Sequence, residues 1–174
     1  MVVVSEIVRN FVPQMGKEGY RIDLFSRGLD GKTIDYDLTD DFFQQIDGLI
    51  QRGQLHTNVR IEGNVDTAFH FTIHSEGVVY APCDRCLADV ELRIDTTDTL
   101  AVRLGDDYSD EGDTVIIPEK DGTIDLAQYI YEFIALCMPL KLVHEPGKCD
   151  EAMIARLSEH LSARSGEDDE SDDE

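Results

Sequence analysis

Two cysteines at Cys-x-x-Cys spacing, Cys83 and Cys86, are the residues of this sequence best suited to chemistry. Sulfur atoms at this spacing can converge on one tetrahedral metal ion, or they can cycle between dithiol and disulfide. A redox pair usually opens a helix, where the N-terminal field stabilises the thiolate. Here Val90, Leu92 and Ile94 alternate with polar residues, which predicts a strand. A turn between strands favours half of a metal site.

The second half of such a site is predicted far along the chain, where His144 and Cys149 share a short loop that contains proline and glycine. With Cys83 and Cys86 they would form the Cys₃His ligand set of a closed structural zinc site. The metal would then link two segments that lie far apart in the sequence. The alternative is a set of ordinary reduced thiols beside a solvated loop histidine.

Length and composition predict one folded domain with a tail. The chain has 174 residues, of which 41% are hydrophobic, enough for a sizeable core. We expect a single α+β domain over residues 1–164 and a disordered acidic tail over residues 165–174. The first residues include neither a basic region nor a long apolar run, so no signal peptide or membrane anchor is expected. Four cysteines in this context predict a cytoplasmic protein.

The chain is strongly acidic, with a formal net charge of −22. Its last eight residues hold seven acids, and removing these seven charges leaves −15 on the rest. Such a charge repels phosphate backbones and attracts basic partners. The basic residues are scattered along the sequence. Direct RNA binding would therefore require Arg85, Arg93 and Arg103 to cluster in space.

Periodicity predicts mostly strands in the first two thirds of the chain. Alternating apolar residues or short apolar runs indicate strands at 20–24, 57–62, 67–74, 87–94, 99–104 and 115–117, and the first ten residues could add an edge strand. A short helix is predicted to begin at Thr39 and to end at Gly53. Its apolar side would be Phe42, Phe43, Ile46 and Ile50.

Two further helices are predicted in the last third. The first begins at Asp125, where Gln128 would complete a capping box, and ends before Pro139. Its apolar face would be Leu126, Ile130, Phe133, Ile134 and Cys137, which places Cys137 in the core. The second begins at Asp150, with an apolar face of Met153, Ile154, Leu157 and Leu161. The sum is an α+β fold with a mainly antiparallel sheet, a short helix in its N-terminal half and two C-terminal helices.

No pattern in the sequence predicts catalysis. His56, His70 and His74 fall on the polar face of the predicted hairpin and are expected to face solvent, with a second metal site as the alternative. The acidic loop at 105–113 lacks the ligand spacing of an EF-hand. No order of nucleophile, histidine and acid is present, so we predict that the protein is not an enzyme.

An ordered series of motifs resembles a known family. The series is Pro82-Cys83-Asp84-Arg85-Cys86-Leu87, Gly122-Thr123-Ile124-Asp125-Leu126, Glu132, Leu136-Cys137-Met138-Pro139 and Cys149. It resembles the bacterial YceD family, the large ribosomal RNA subunit accumulation proteins. The family marks positions that correspond to Cys83, Arg85, Cys86 and Cys149. Many relatives carry several cysteines after the last helix, whereas this chain has only Cys149, with His144 before it.

The resemblance implies a cytoplasmic, non-catalytic factor that supports accumulation of large-subunit ribosomal RNA. Because the chain is acidic, a basic ribosomal protein is a better expected partner than bare large-subunit ribosomal RNA. Neither a membrane nor a small-molecule substrate is expected. The alternative function is that of a thiol-disulfide redox protein acting through Cys83 and Cys86.

Overall fold

The computed structural model describes residues 17–46, 48–110 and 114–164. The strands are β1 (Arg21–Asp23), β2 (Thr33–Leu38), β3 (Arg52–Gly63), β4 (Phe69–Pro82), β5 (Asp89–Gly105), β6 (Thr114–Pro118) and β7 (Thr123–Asp125). The helices are α1 (Asp40–Gln44), α2 (Leu126–Leu136) and α3 (Glu151–Arg164), with a 3₁₀ turn at Lys17–Tyr20. The predicted α+β class is confirmed.

One five-stranded sheet, in the order β2-β3-β4-β5-β6, forms the body of the fold. Its pairs are antiparallel except β5 and β6, which run parallel. Strands β1 and β7 form a separate antiparallel pair. The alternation of buried and exposed residues along β3 and β4 leaves one face of the sheet apolar. The core lies on that face.

Helix α2 packs on the sheet as predicted. The Asp125 carboxylate accepts a hydrogen bond from the Ala127 N–H at 3.0 Å and so caps the helix. The helix buries Leu126, Ile130 and Ile134 completely. Gln128 does not complete the capping box, because its amide donates to the Glu132 carboxylate instead, at 2.9 Å. The capping carboxylate alone therefore fixes the start of α2.

The hairpin of β4 and β5 carries the cysteine motif at its tip. Pairing continues up to Pro82 opposite Asp89, so the turn consists of residues 83–88. Strand β5 is one continuous strand of 17 residues, where the sequence predicted two shorter ones. A long paired hairpin holds its turn firmly in place, which suits a metal site better than a free loop.

The first helix is shorter than predicted. It ends at Gln44, and Gly53 belongs to β3. The chain beyond α1 is shaped by tertiary contacts: the Ile50 N–H donates to the Tyr131 hydroxyl at 3.0 Å, and a side chain at Gly48 would collide with the same hydroxyl. Packing against α2 thus overrides helical periodicity.

The prediction that Cys137 lies in the core is wrong. This residue is exposed, because α2 ends at Leu136 and Cys137 is its C-cap. Its thiol donates back to the Phe133 carbonyl at 3.3 Å. Strands β2 and β7 were not predicted at all. The predicted edge strand at residues 1–10 and the tail at residues 165–174 lie outside the described residues.

Glycine at position 77 is required where β4 passes β3. Gly77 has a φ of +148°, and a Cβ there would collide with the backbone carbonyl of Gln54. We expect Gly77→Ala to lower the free energy of unfolding by about 2 kcal/mol or more, measured by urea denaturation. Gly19→Ala is the control, because no atom lies within 4 Å of its added Cβ. Equal effects of the two substitutions would refute this explanation.

Candidate metal centre

The turn at residues 83–88 is closed by two backbone hydrogen bonds. The Cys83 N–H donates to the Ala88 carbonyl and the Leu87 N–H donates to the Cys83 carbonyl, both at 2.9 Å. Leu87 adopts a left-handed conformation with a φ of 61°, which completes the reversal of the chain. Cys83 and Cys86 are buried at this turn, with exposed fractions of 0% and 2%. We call residues 83–88 the knuckle.

Asp84 fastens a distant loop to the knuckle. Its N–H donates to the Leu142 carbonyl at 2.7 Å, and its carboxylate accepts from the Leu142 N–H, also at 2.7 Å. The two bonds join segments 58 residues apart in the chain. The loop then turns through Gly147, whose φ is +83°, and reaches Cys149. Both predicted halves of the site thus meet at one end of the sheet.

The structure brings together all four residues predicted as metal ligands. The ligand atoms of Cys83, Cys86, His144 and Cys149 lie within 4.8 Å of one another. In a tetrahedron with metal–sulfur bonds of about 2.3 Å, two sulfurs are about 3.8 Å apart. No pair therefore exceeds the tetrahedral value by more than about 1 Å, so small side-chain shifts would let one ion contact all four atoms.

The ring of His144 is oriented for ligation. Its Nε2 lies 3.1 Å from the Asp89 carbonyl oxygen. Because that oxygen can only accept, Nε2 carries the hydrogen, which leaves Nδ1 with the lone pair. Nδ1 lies 3.4 Å from the Cys86 sulfur, inside the cluster. A histidine ligand held by a backbone carbonyl through its other nitrogen is the usual arrangement at metal sites.

Backbone amides stabilise negative charge on the two knuckle sulfurs. Burial raises the pKa of Cys83, but the N–H groups of Cys86, Arg85 and His144 and the Cys86 thiol outweigh it and lower this pKa to about 6. The pKa of Cys86 is lowered chiefly by the N–H of Asp150. Thiolates are the form in which cysteine binds metals. The fold therefore favours the thiolate form at both knuckle cysteines before any ion arrives.

The pKa values of the other two predicted ligands, Cys149 and His144, are both raised, in part by the knuckle cysteines. Burial raises the pKa of Cys149, and the neighbouring Cys86 and Cys83 raise it further. The pKa of His144 is raised mainly by its hydrogen bond with Cys83. Without a metal, the cluster thus tends to hold protons on these two residues, and a cation would displace them.

The redox alternative is not supported. Cys83 has a lowered pKa, but the burial of Cys83 and Cys86 withdraws both sulfurs from a protein disulfide. The motif lies in a turn between strands and does not itself open a helix, as a redox pair usually does. Exchange requires an accessible thiolate.

Asp84 helps to position the loop with His144. It was not among the predicted site residues, although it lies inside the Cys-x-x-Cys motif. We expect Asp84→Ala to weaken metal binding about 10-fold to 100-fold, since it removes a bond that positions the His144 loop. Asp66→Ala, which removes another exposed carboxylate in a loop, should leave the affinity unchanged. Competition with a chromogenic chelator measures both constants. Equal affinities of the two variants would show that Asp84 has no such role.

The three arginines considered for RNA binding do not form one patch. Arg93 and Arg103 lie on β5, ten positions and so about 33 Å apart. Arg85 lies on the knuckle, beyond the paired end of β5.

The predicted polar-face histidines do not make a second site. His56 lies 2.9 Å from the Asp37 carboxylate and 3.5 Å from that of Asp35. The hydrogen bond to Asp37 is the main reason that the pKa of His56 is raised. Within residues 17–46, 48–110 and 114–164, the four-residue cluster is the one group with metal-binding geometry.

Comparison with known proteins supports the resemblance noted in the sequence. Over the described part of the chain, no helix is long and apolar enough to cross a membrane. No match to the chain is found among curated proteins, and none among solved structures. A family model described as "Large ribosomal RNA subunit accumulation protein YceD" matches residues 71–174, more than half of the chain, including the knuckle and the loop with His144 and Cys149. The chain therefore belongs to the YceD family.

Proposed function

We propose that this protein is a non-catalytic, cytoplasmic assembly factor that supports accumulation of large-subunit ribosomal RNA, and that one zinc ion stabilises its partner-binding end. The observation that carries the proposal is the convergence of Cys83, Cys86, His144 and Cys149 within the region matched by the YceD family model.

Zinc fits the donor set of this cluster. Three sulfurs and one imidazole nitrogen are ligands of structural zinc sites, which use four protein ligands and leave no position open. When bound, the ion would tie the knuckle to the loop that precedes α3. Its role would be structural, as expected for a closed site without a coordinated water.

The charge distribution favours a basic protein as the partner. The chain carries −22, and its candidate arginines are dispersed along β5 and the knuckle. An RNA-binding surface needs a concentrated positive potential to offset phosphate repulsion. Basic ribosomal proteins offer the complementary charge, and their association would be accelerated at low salt.

The proposal is tested by removing the gene and measuring both ribosomal RNAs. We expect large-subunit RNA to fall relative to small-subunit RNA. A wild-type copy and a Cys137→Ser copy should restore the ratio, because Cys137 is exposed and outside the cluster. A Cys86→Ser copy should restore it poorly at high growth temperature. An unchanged ratio in the deletion strain would overturn the proposed function.

Direct binding separates the two kinds of partner. The purified protein should bind basic proteins extracted from large ribosomal subunits in preference to protein-free large-subunit RNA. The retained proteins are identified by mass spectrometry. Tighter binding to the protein-free RNA would overturn the choice of a protein partner.

A further inference from the structure

Helix α3 has an apolar side that the described chain leaves uncovered. From Glu151 to Glu159 every residue is exposed except Met153, which is half-buried. Ile154 and Leu157, which share one side of the helix, are 39% and 41% exposed. A 14-residue helix is marginally stable alone in water. A helix of this length usually gains most of its stability by packing an amphipathic face against something else.

The cysteine and histidine cluster lies directly at the start of α3. The Asp150 carboxylate accepts from the Met153 N–H at 2.8 Å and caps the helix. The Asp150 N–H donates a hydrogen bond to the Cys86 sulfur, and Cys149 directly precedes Asp150 in the chain. The first turn of α3 is therefore attached to the cluster, which gives the uncovered side a defined direction.

A cavity of about 400 Å³ lies between the knuckle and α3. Its walls are Arg85, Gly147, Cys149, Glu151, Ile154 and Ala155. Ile154 thus belongs both to the uncovered side and to a concave site that could receive a side chain. This combination of a helix face and a neighbouring pocket suits an amphipathic partner segment.

The net charge of the C-terminal part of the chain indicates which kind of partner segment would bind to α3. Residues 150–174 contain ten acids and two arginines, a net charge of −8. A second copy would bring together two chains that each carry −22, so self-association is electrostatically opposed. A cationic partner gains from the same field.

We propose that the apolar side of α3, with the adjoining cavity, is the docking surface for a cationic amphipathic segment of a partner protein, and that the metal centre holds this surface in place. The inference rests on the proposed function, whose partner it localises. Met153, Ile154 and Leu157 contact the apolar side of the segment. Glu151 and Glu159 of the same helix attract its basic residues.

The probe is a synthetic peptide of about twenty residues, long enough to be helical, with leucine at helical spacing and lysine elsewhere. Its counterpart has glutamine in place of leucine. Fluorescence anisotropy with the full chain should show about tenfold tighter binding of the leucine peptide. The double variant Ile154→Ser/Leu157→Ser should lose this preference. Leu49→Ser, at a residue that is 56% exposed on another part of the chain, should keep it.

A second variant tests the charge independently of the apolar side. Glu151→Lys/Glu159→Lys should weaken both lysine peptides by about tenfold at low salt, and the loss should shrink as salt rises. Circular dichroism and metal content confirm that the variants keep the fold. Equal binding of the two peptides, or a full preference in Ile154→Ser/Leu157→Ser, would overturn the docking surface.

Cross-linking from α3 distinguishes the proposed partner segment from other chains or segments that could cover this helix. A photoreactive residue at position 157 should cross-link to the bound leucine peptide. Cross-links to a second copy, supported by a dimer mass in light scattering, would overturn the proposal, as would cross-links to residues 1–16 of the same chain. If Ile154→Ser/Leu157→Ser loses the peptide but restores large-subunit RNA fully in cells, this inference fails and the proposed function stands.

Discussion

Replacing Cys83 by serine is expected to abolish stoichiometric metal binding and to lower the melting temperature by about 10 °C. Cys83 is fully buried, and its sulfur lies within 4.8 Å of the ligand atoms of the other three cluster residues. A ligand that binds the folded chain and not the unfolded one stabilises the fold by mass action, and this contribution disappears with the site. The sheet and α2 have a core of their own, so the variant should stay folded.

The control for this substitution is provided by the chain itself. Cys137→Ser changes the exposed cysteine at the end of α2, outside the cluster. It should keep the metal and the wild-type melting temperature. Calorimetry of both variants, with and without added zinc, measures the two effects. A melting temperature of Cys83→Ser equal to that of the wild type would mean that the thiols do not stabilise the fold.

Metal affinity should fall steeply as the pH is lowered, because protons compete with the metal for all four ligands. Near pH 8 the thiol of Cys149, whose pKa is raised above its ordinary value, still holds a proton, so binding should release at least that one. Below the Cys83 pKa of about 6, this thiol also gains a proton. There His144 is an imidazolium, since its pKa is raised from 6.5. The number of protons released on binding should therefore be larger at pH 5 than at pH 8.

Calorimetric titration in buffers of different ionisation enthalpy counts these protons directly. Cys137→Ser should give the same counts at every pH. A proton count that stays constant between pH 5 and 8 would contradict the assignment of the ligands.

The metal-free protein should show a smaller pH effect of its own. The folded-state pKa of Cys83 is lowered from 9.0 to about 6. Its thiolate therefore stabilises the folded chain above pH 9, and this contribution declines as the pH falls toward 6. The raised pKa of His144 acts in the opposite sense. Its contribution is complete below pH 6.5 and is lost as the pH rises through the folded-state value. Thiolate absorbance followed against pH checks the Cys83 value.

Features with a local signal could be predicted from the sequence. The alternation after Cys86 correctly placed the motif in a turn, and the capping carboxylate of Asp125 correctly placed the start of α2. The choice of His144 as the fourth residue depended on its place in the loop before Cys149, and the structure brings both to the knuckle. These inferences needed only spacing and side-chain type.

Three features could not be predicted from the local sequence pattern. Asp84 is a turn residue in the sequence, and its role appears only when Leu142 lies beside it. The apolar periodicity predicted that the helical face includes Cys137, but α2 ends one residue earlier, at Leu136. The apolar pattern of α3 predicted a helix without revealing that its apolar side would remain uncovered. Of these three features, only the role of Asp84 is decided by a neighbour remote in sequence.

The most direct test of the zinc site is to measure metal in protein purified under reducing conditions and to count reactive thiols before and after chelation. The chain has four cysteines, and three of them belong to the cluster. We predict about one zinc per chain, with Cys137 alone reacting at first and all four thiols reacting after the chelator. Protein without metal, whose reactive thiols are the same in number before and after chelation, would contradict the account.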